Sequence, residues 1–526
     1  MRKKLSAYFL AILTAAALFS GCGGVSSETA AGAGDSGEQA TKASESTGES
    51  GELSKLSIFI NMSWYPVDSF TGKIPDAIKA ATGTDLDVTI ATDSKQLGVM
   101  IASGELPDLV FSDTEINELS NSNVCIPLDE LAEMTGVSFE NAENYDERTR
   151  IASTLSEDGR AYTLLNNYNS NEDWDKLKLG AQGQTCIYYR QDLLEAAGIE
   201  VPTNLEEFRN CLKEVKTAYP EMTPLGMGGY WKLQPISIWT GVSQGKYDGK
   251  EYRYESATPE YKSFLKYANS LYRDGLISAE EYANENEEIG HQRAYNDGCV
   301  FYPWYLANSN FTQLQSNAVS DSAKWAVLAP LGQPPLGDGK GWGGLFISRN
   351  CGDVTAAARL FAYLNSVEGG RTSMWGVEGD DWMLDENGVP QFSEEFLEAR
   401  GNSEVWYSKY NTMFYFGASA IDEIYMNYSG MEEDKLKEFS AYSKGFVNYP
   451  ELGIAKPSTT SEEGVIYTKL EDIRKKYEAK AIFSDTDEDF ESACEEFMKA
   501  LDSAGIGTYN TYMTEQIQKV KQEFGF

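Results

Sequence analysis

From Lys55 to Phe111 the chain alternates between two hydrophobic periods, and this alternation restricts the fold more than any other feature. Lys55–Asn61 (KLSIFIN) is β-branched and aromatic and reads as a first strand. Pro75–Ala81 reads as a short helix stopped near Gly83, and Asp87–Ile90 as a second strand. Ser94–Ser103 sets Leu97, Met100 and Ile101 at helical spacing with Ser94 as cap. Gly104-Glu105-Leu106-Pro107 breaks that helix, and Asp108–Phe111 is an apolar strand of the buried type. Strands separated by helices imply a parallel sheet and an α/β fold. Such sheets place ligands at the carboxyl ends of their strands, so Met62–Asp68 and Ser112–Glu115 are the first segments to search. At 526 residues the chain exceeds one ordinary domain, and two or three are expected.

The N-terminus decides the compartment. Arg2, Lys3 and Lys4 precede an uncharged apolar run from Leu5 to Phe19, then Ser20-Gly21-Cys22. A basic start, a greasy stretch too short for a membrane span and small residues before a cut make residues 1–21 a signal peptide. Phe19-Ser20-Gly21-Cys22 resembles a bacterial lipobox, with Phe19 where Leu is usual, which makes Cys22 the lipidated new N-terminus. Residues 22–52 then read as the lipidated cysteine and a disordered tether, because Gly, Ser, Thr, Ala and Glu offer almost nothing to bury. As a flexible coil the tether would span roughly 30 Å. At least two acyl chains hold such a protein on the membrane. The expected location is the extracytoplasmic face of the cell membrane, reached through the N-terminal lipid alone.

Charge and chemistry remove other classes. A net charge of -37, from 44 basic and 81 acidic residues, argues against nucleic acid. With His291 the single histidine, a Ser-His-Asp triad or a His-rich metal site would rest on that residue alone. Beyond Cys22 the cysteines (125, 186, 211, 299, 351 and 494) are scattered without CxxC spacing and read as small buried apolar residues. Asp485-Thr486-Asp487-Glu488-Asp489 imitates a calcium loop, but Phe490 stands where the turn glycine belongs, so the segment reads as an acidic helix start. Neither a metal nor a cofactor is expected.

Further segments follow in a fixed order: Ile101-Ala102-Ser103-Gly104-Glu105-Leu106-Pro107-Asp108-Leu109-Val110, then Ile126-Pro127-Leu128-Asp129-Glu130-Leu131. Tyr188-Tyr189-Arg190-Gln191-Asp192-Leu193-Leu194 comes next, with Gly198-Ile199 and Pro202–Phe208, where Thr203 and Glu206 have the shape of a capping box. Arg293–Trp304, Gly344–Ser348, Phe361–Asn365 with Glu368-Gly369, and Gly376–Trp382 complete the series. Asn387-Gly388 signals a hairpin, and the stretch from Thr460 is helical in pattern, including Thr468–Ile482 and Phe490–Leu501. Together these segments resemble the extracellular solute-binding proteins of family 1, in particular the lipoprotein sugar-binding subunits of bacterial ABC importers, over roughly residues 53–520.

The resemblance implies a periplasmic-binding-protein-like fold: two α/β lobes, a hinge and an interlobe ligand cleft. Lobe 1 is expected at 53–163 plus 326–380, and lobe 2 at 164–325 plus 381–526. It implies a monomer that captures a carbohydrate, an oligosaccharide in particular, by lobe closure and delivers it to ABC permease subunits, with no catalytic residue. Sugar capture needs rings for C–H faces and polar side chains for hydroxyls. The candidate ligand residues are Trp64, Tyr65, Asp68, Asp113, Tyr168, Trp231, Trp304, Trp342 and Trp382, with Ser112, Asn167, Tyr230 and Trp239 nearby. Trp304 corresponds to the family strand that brings a tryptophan to the cleft. Two alternatives stay open: a lipid-anchored glycoside hydrolase, which needs two facing carboxylates, and a receptor for a peptide or other non-sugar solute. With 81 acidic residues a pair such as Glu378 and Asp381 can always be nominated, and no motif isolates an acid and a base.

Overall fold

Two four-stranded sheets organise the chain. A computed structural model describes residues 53–525 apart from 94, 178–184, 228, 243–244, 285–286, 335, 338, 413–415, 443–446 and 459–460. The signal peptide, Cys22, the tether and the Ser94 cap all fall outside the described residues.

The first sheet contains β1 (Ser54–Ile60), β2 (Thr84–Ile90) and β3 (Leu109–Ser112). The second is built from β4 (Thr185–Arg190), β5 (Thr223–Leu225), β6 (Cys299–Tyr305) and β7 (Trp325–Val327). The chain then returns to the first sheet as β8 (Gly344–Ile347). Strand orders are β8-β3-β1-β2 and β5-β6-β4-β7. β1 pairs in parallel with β2 and β3, as the strand–helix alternation requires, whereas β8 is antiparallel to β3. The fold is α/β and periplasmic-binding-protein-like.

Local chemistry explains the motif segments. Helix Gln96–Ser103 ends on Gly104 in the left-handed region (φ 73°), and Asp108 then accepts the Ser57 amide (2.7 Å) and the Gly352 amide (2.7 Å), tying β1, β3 and the end of β8 together. In β4 the guanidinium of Arg190 is buried and forks onto Asp192 (2.8 and 2.7 Å) and Asp297, which accounts for an arginine and an aspartate two residues apart in that segment. Helix Leu205–Ala218 is capped by Asn204, whose side chain accepts from the Glu207 amide at 2.9 Å. Thr203 and Glu207 bond each other just outside, so the cap sits one residue later than the Thr203–Glu206 pattern predicts. Thr486 caps helix Asp487–Ala504, and the acidic run is a helix start as read. The hairpin Trp382–Leu384 with Pro390–Phe392 forms as expected around Asn387-Gly388. All six described cysteines are free thiols, five of them buried and Cys351 half-buried.

Each sheet has its own apolar cluster. Trp382, Phe396, Trp406, Tyr410 and Phe416 lie beyond the expected division at 381 yet pack into the first sheet's cluster. The cause is local, since Asp381, buried beside this segment, accepts from Lys73 (2.6 Å) and from Tyr410 (3.0 Å) and so ties it to helix Lys73–Thr82. The second sheet's cluster gains Phe439, Tyr442 and the three helices between Glu462 and Phe524.

Register fixes where the chain crosses between sheets. Thr163 Oγ1 donates to the Leu345 carbonyl and the Asn166 amide to Gly343, both at 2.9 Å, so the first crossing leaves at the carboxyl end of β3, where Ser112 pairs with Gly344. It enters the second sheet at Thr185, which pairs with Tyr305, the carboxyl end of β6. β7 runs back along β4 from Trp325 to Val327, and the Leu328 amide donates to Ile187 (2.8 Å) on the way to that same edge. The return crossing then re-enters at Gly344. Both crossings therefore join the carboxyl edge of one sheet to the carboxyl edge of the other.

Candidate functional site

At the first edge an indole pair marks the surface. Trp64, just past β1, is 58% exposed and stacks on Trp342 with ring centroids 6.2 Å apart and planes at 30°. Trp342 precedes β8; its Nε1 donates to Asp113 Oδ2 at 3.1 Å, and its ring meets Phe111 edge-on at 5.9 Å. Indole N–H and carboxylate fix the inner ring, and the outer ring offers a free face. Asn61, just past β1, donates to Ser112 (3.1 Å) and Thr114 (3.0 Å), which ties the end of β1 to the end of β3 beneath this edge.

A matching pair stands at the second edge. Tyr305, the last residue of β6, is 42% exposed and stacks on Trp231, centroids 4.9 Å apart and planes at 17°. Trp231 lies past β5, whose Leu225 pairs with Phe301 of β6, so both rings belong to the carboxyl edge. Its Nε1 donates to Glu287 at 2.6 Å. Each edge thus carries an exposed ring stacked on an inner tryptophan whose N–H is held by a carboxylate.

Beneath the second pair the charges are buried. Lys232 is fully enclosed, with Nζ 3.9 Å from the Trp231 ring centre, 4.7 Å from Tyr302 and 5.8 Å from Trp304. Burial pushes its ammonium down to about 7, against the opposing pull of Glu287. Burial, reinforced by the Lys232 charge, lowers His291 to about 4, so its imidazole is neutral at pH 7.

The sequence candidates separate into three groups. Trp64, Trp342 and Asp113 come together at the first edge, and Trp231 stands at the second. Asp68 is exposed on the loop after β1, apart from the stacked pair. Tyr65, Tyr168, Trp304 and Trp382 are buried. Tyr65 packs in the first cluster and Tyr168 in the second, its hydroxyl donating to Glu147. Trp304 lies under the edge, 4.1 Å from the His291 ring. Trp382 is spent on packing against Trp375 (5.0 Å) and donates its N–H to the Gly376 carbonyl (3.1 Å), so no face remains for a ligand. Asn167 serves the crossing, donating from its amide to Ala418 (2.8 Å) and from its side chain to Glu423 (3.1 Å). Trp239 is buried in the second cluster. Sequence reasoning missed Tyr305, Glu287 and Lys232; the one available signal was the exposed end of the strand that supplies Trp304.

Known proteins resemble the chain at this level. A family profile described as bacterial extracellular solute-binding protein matches residues 64–371, more than half of the chain. The chain belongs to that family. This solute-binding protein is 25% identical over 221 residues to Lipoprotein LipO of Bacillus subtilis (strain 168), a match that spans 38% of this chain and 40% of LipO's length. Among solved structures it resembles the alginate-binding protein AlgQ2, crystallised without calcium ion (TM-score 0.66, 17% identity, 89% of this chain and 99% of that one). It also resembles FusA, an S. pneumoniae ABC-transporter substrate binding protein in complex with kestose (TM-score 0.64, 15% identity, 89% and 100%). These likenesses extend through both sheets and establish the fold. Among the described residues no helix is long and apolar enough to cross a membrane, and no cluster of three His, Cys, Asp or Glu could hold a metal ion.

Proposed function

We propose that this protein is the lipid-anchored receptor of an ABC importer, and that it captures an oligosaccharide between the two aromatic edges. One observation supports the reading: the two connections between the sheets join the edges that bear the stacked ring pairs, and on this reading the pairs are the two walls of one cleft. Exposed rings backed by fixed tryptophans suit the apolar C–H face of a sugar, and a pair on each side suits a ligand of more than one ring. Fold neighbours that bind alginate or kestose support this class of ligand. On this reading lobe 1 comprises about residues 53–163 and 344–426, and lobe 2 about 185–327 and 430–526. Closure of the lobes brings ligand contacts from both, and the closed shape is what permease subunits recognise. Cys22 supplies the lipid and residues 23–52 the tether to the extracytoplasmic membrane face.

A thermal-shift screen of residues 53–526 tests the proposal against fructan, alginate and N-glycan oligosaccharides, with a peptide library in parallel. A bound sugar raises the melting temperature by mass action, and chromatography of the mixture returns the sugar intact. A shift with peptides alone, or cleavage of the sugar, overturns it.

A further inference from the structure

Lys232 is an anomaly in a chain with 81 acidic residues. Its ammonium is fully buried, and among the described residues no carboxylate pairs with it. Its hydrogen bond goes to Tyr302 Oη at 3.3 Å; Tyr302 in turn lies 2.7 Å from His291 Nδ1. Because the lysine nitrogen donates to the phenol oxygen, the phenol proton is free for Nδ1, and a neutral imidazole accepts it there. The remaining surroundings are rings: Trp231, Tyr302 and Trp304 wall the ammonium on the side of the Trp231–Tyr305 stack. Around this group Glu287, Glu288 and His291 come from helix Glu287–Tyr295, Tyr302 and Cys299 from β6, and Cys186 from β4. An unpaired buried charge costs stability, and of the three ring faces around it that of Trp231, at 3.9 Å, is the nearest.

We propose that Lys232 is a positioning residue for the second aromatic edge: while protonated it clamps the face of Trp231 in the orientation that stacks on Tyr305, and on losing its proton it leaves the ring tethered through its Nε1–H bond to Glu287, free to tilt about that bond. The proposal rests on reading that edge as a ligand surface, but the clamp itself exists without any ligand. Burial brings the lysine's titration to about 7, so the clamp engages in acid and loosens in mild alkali. Its effect on global stability has the opposite sign. The unfolded chain binds this proton up to the ordinary lysine range and the folded one only to about 7, so Lys232 makes stability rise with pH between those values. A group that merely packed would move ring order and stability together; this one moves them apart.

The test uses ligand-free protein labelled with 5-fluorotryptophan, the Trp231 resonance being assigned by its loss in Trp231→Phe. The expected result is a Trp231 fluorine shift that titrates with a midpoint near 7 and broadens above it, while the melting temperature climbs over the same range. Lys232→Arg keeps its charge and holds Trp231 at the acidic-limit shift from pH 6 to 9. Lys232→Met shows no inflection and melts higher than the parent at pH 6. A Trp231 resonance without an inflection between pH 6 and 8.5, or one that titrates identically in Lys232→Arg, overturns the proposal. If Lys232→Met does not fold, the parent and the arginine variant decide the matter. Because no saccharide is added, failure of the sugar reading leaves this result intact.

Discussion

Arg148 offers the sharpest perturbation of the crossings. Its buried guanidinium donates to Asn365 Oδ1 (2.7 Å), Leu165 O (3.0 Å) and Glu143 O (3.2 Å), with longer bonds to Leu164 O and Gly417 O (3.4 Å each). Two of these acceptors lie on the first crossing, one on the segment 416–419 beside it and one at the end of helix Val354–Asn365. Arg148→Met fills the space but strands the three best-bonded acceptors, each costing about 1–3 kcal/mol. Sparing the protein a buried guanidinium returns several kcal/mol, so the net loss is about 3 kcal/mol. A change of that size accelerates local opening about 100-fold, because 1.4 kcal/mol corresponds to a factor of ten. Hydrogen exchange reads it at the amides of Asn166, Asn167 and Trp342, which bond Gly343, Ala418 and Asn166 across the crossings. Arg148→Lys, which keeps a charge without the planar fork, falls between. If these three amides exchange at the parental rate while the variant melts earlier, the crossings are held by something else and the reasoning fails.

Two further predictions follow from packing and charge. Asp422 is buried beside Arg371, and burial lifts its carboxyl to about 6 from 3.8, so the folded state binds its proton more tightly than the unfolded chain and stability falls as pH rises through that window. Asp422→Asn should raise the melting temperature at pH 8, by up to about 3 kcal/mol of stability, and leave it unchanged near pH 3.5; an equal gain at both values refutes the assignment. Trp382→Ala should cost about 3–5 kcal/mol in denaturant unfolding as a buried ring is lost, whereas Trp64→Ala, removing a largely exposed one, should cost under about 2 kcal/mol.

The sequence carried the frame of the first sheet because its strands and helices have clean periods. KLSIFI, DVTI and the LVF of DLVF lie in strands that run parallel, as the intervening helices require. The first edge was legible for the same reason: Trp64 and Asp113 follow strand ends, and Trp342 precedes the strand that pairs with one of them. The second edge was harder. β6 is central in its sheet and its first six residues are all buried, so alternation gave no sign that Tyr305 rather than Trp304 faces outward. Lys232 reads as a solvent-facing lysine in the run Tyr230-Trp231-Lys232-Leu233; rings and a histidine more than fifty residues away in sequence bury it. Trp382 was misleading for a similar reason, because the contact that seals it against Trp375 depends on how residues 376–382 fold back. Tertiary packing, invisible to local pattern, decided each of these.

On the proposed function one ligand spans both aromatic edges. Calorimetric titration of residues 53–526 with fructan, alginate and N-glycan oligosaccharides, repeated on Trp64→Ala and on Tyr305→Ala, tests it directly. Loss of a stacking face and its apolar contact is worth about 1.4 kcal/mol or more, so a saccharide that saturates the parent one-to-one should bind each variant at least about tenfold more weakly. Binding that survives both substitutions unchanged, or a parent that takes up none of these sugars, contradicts the account.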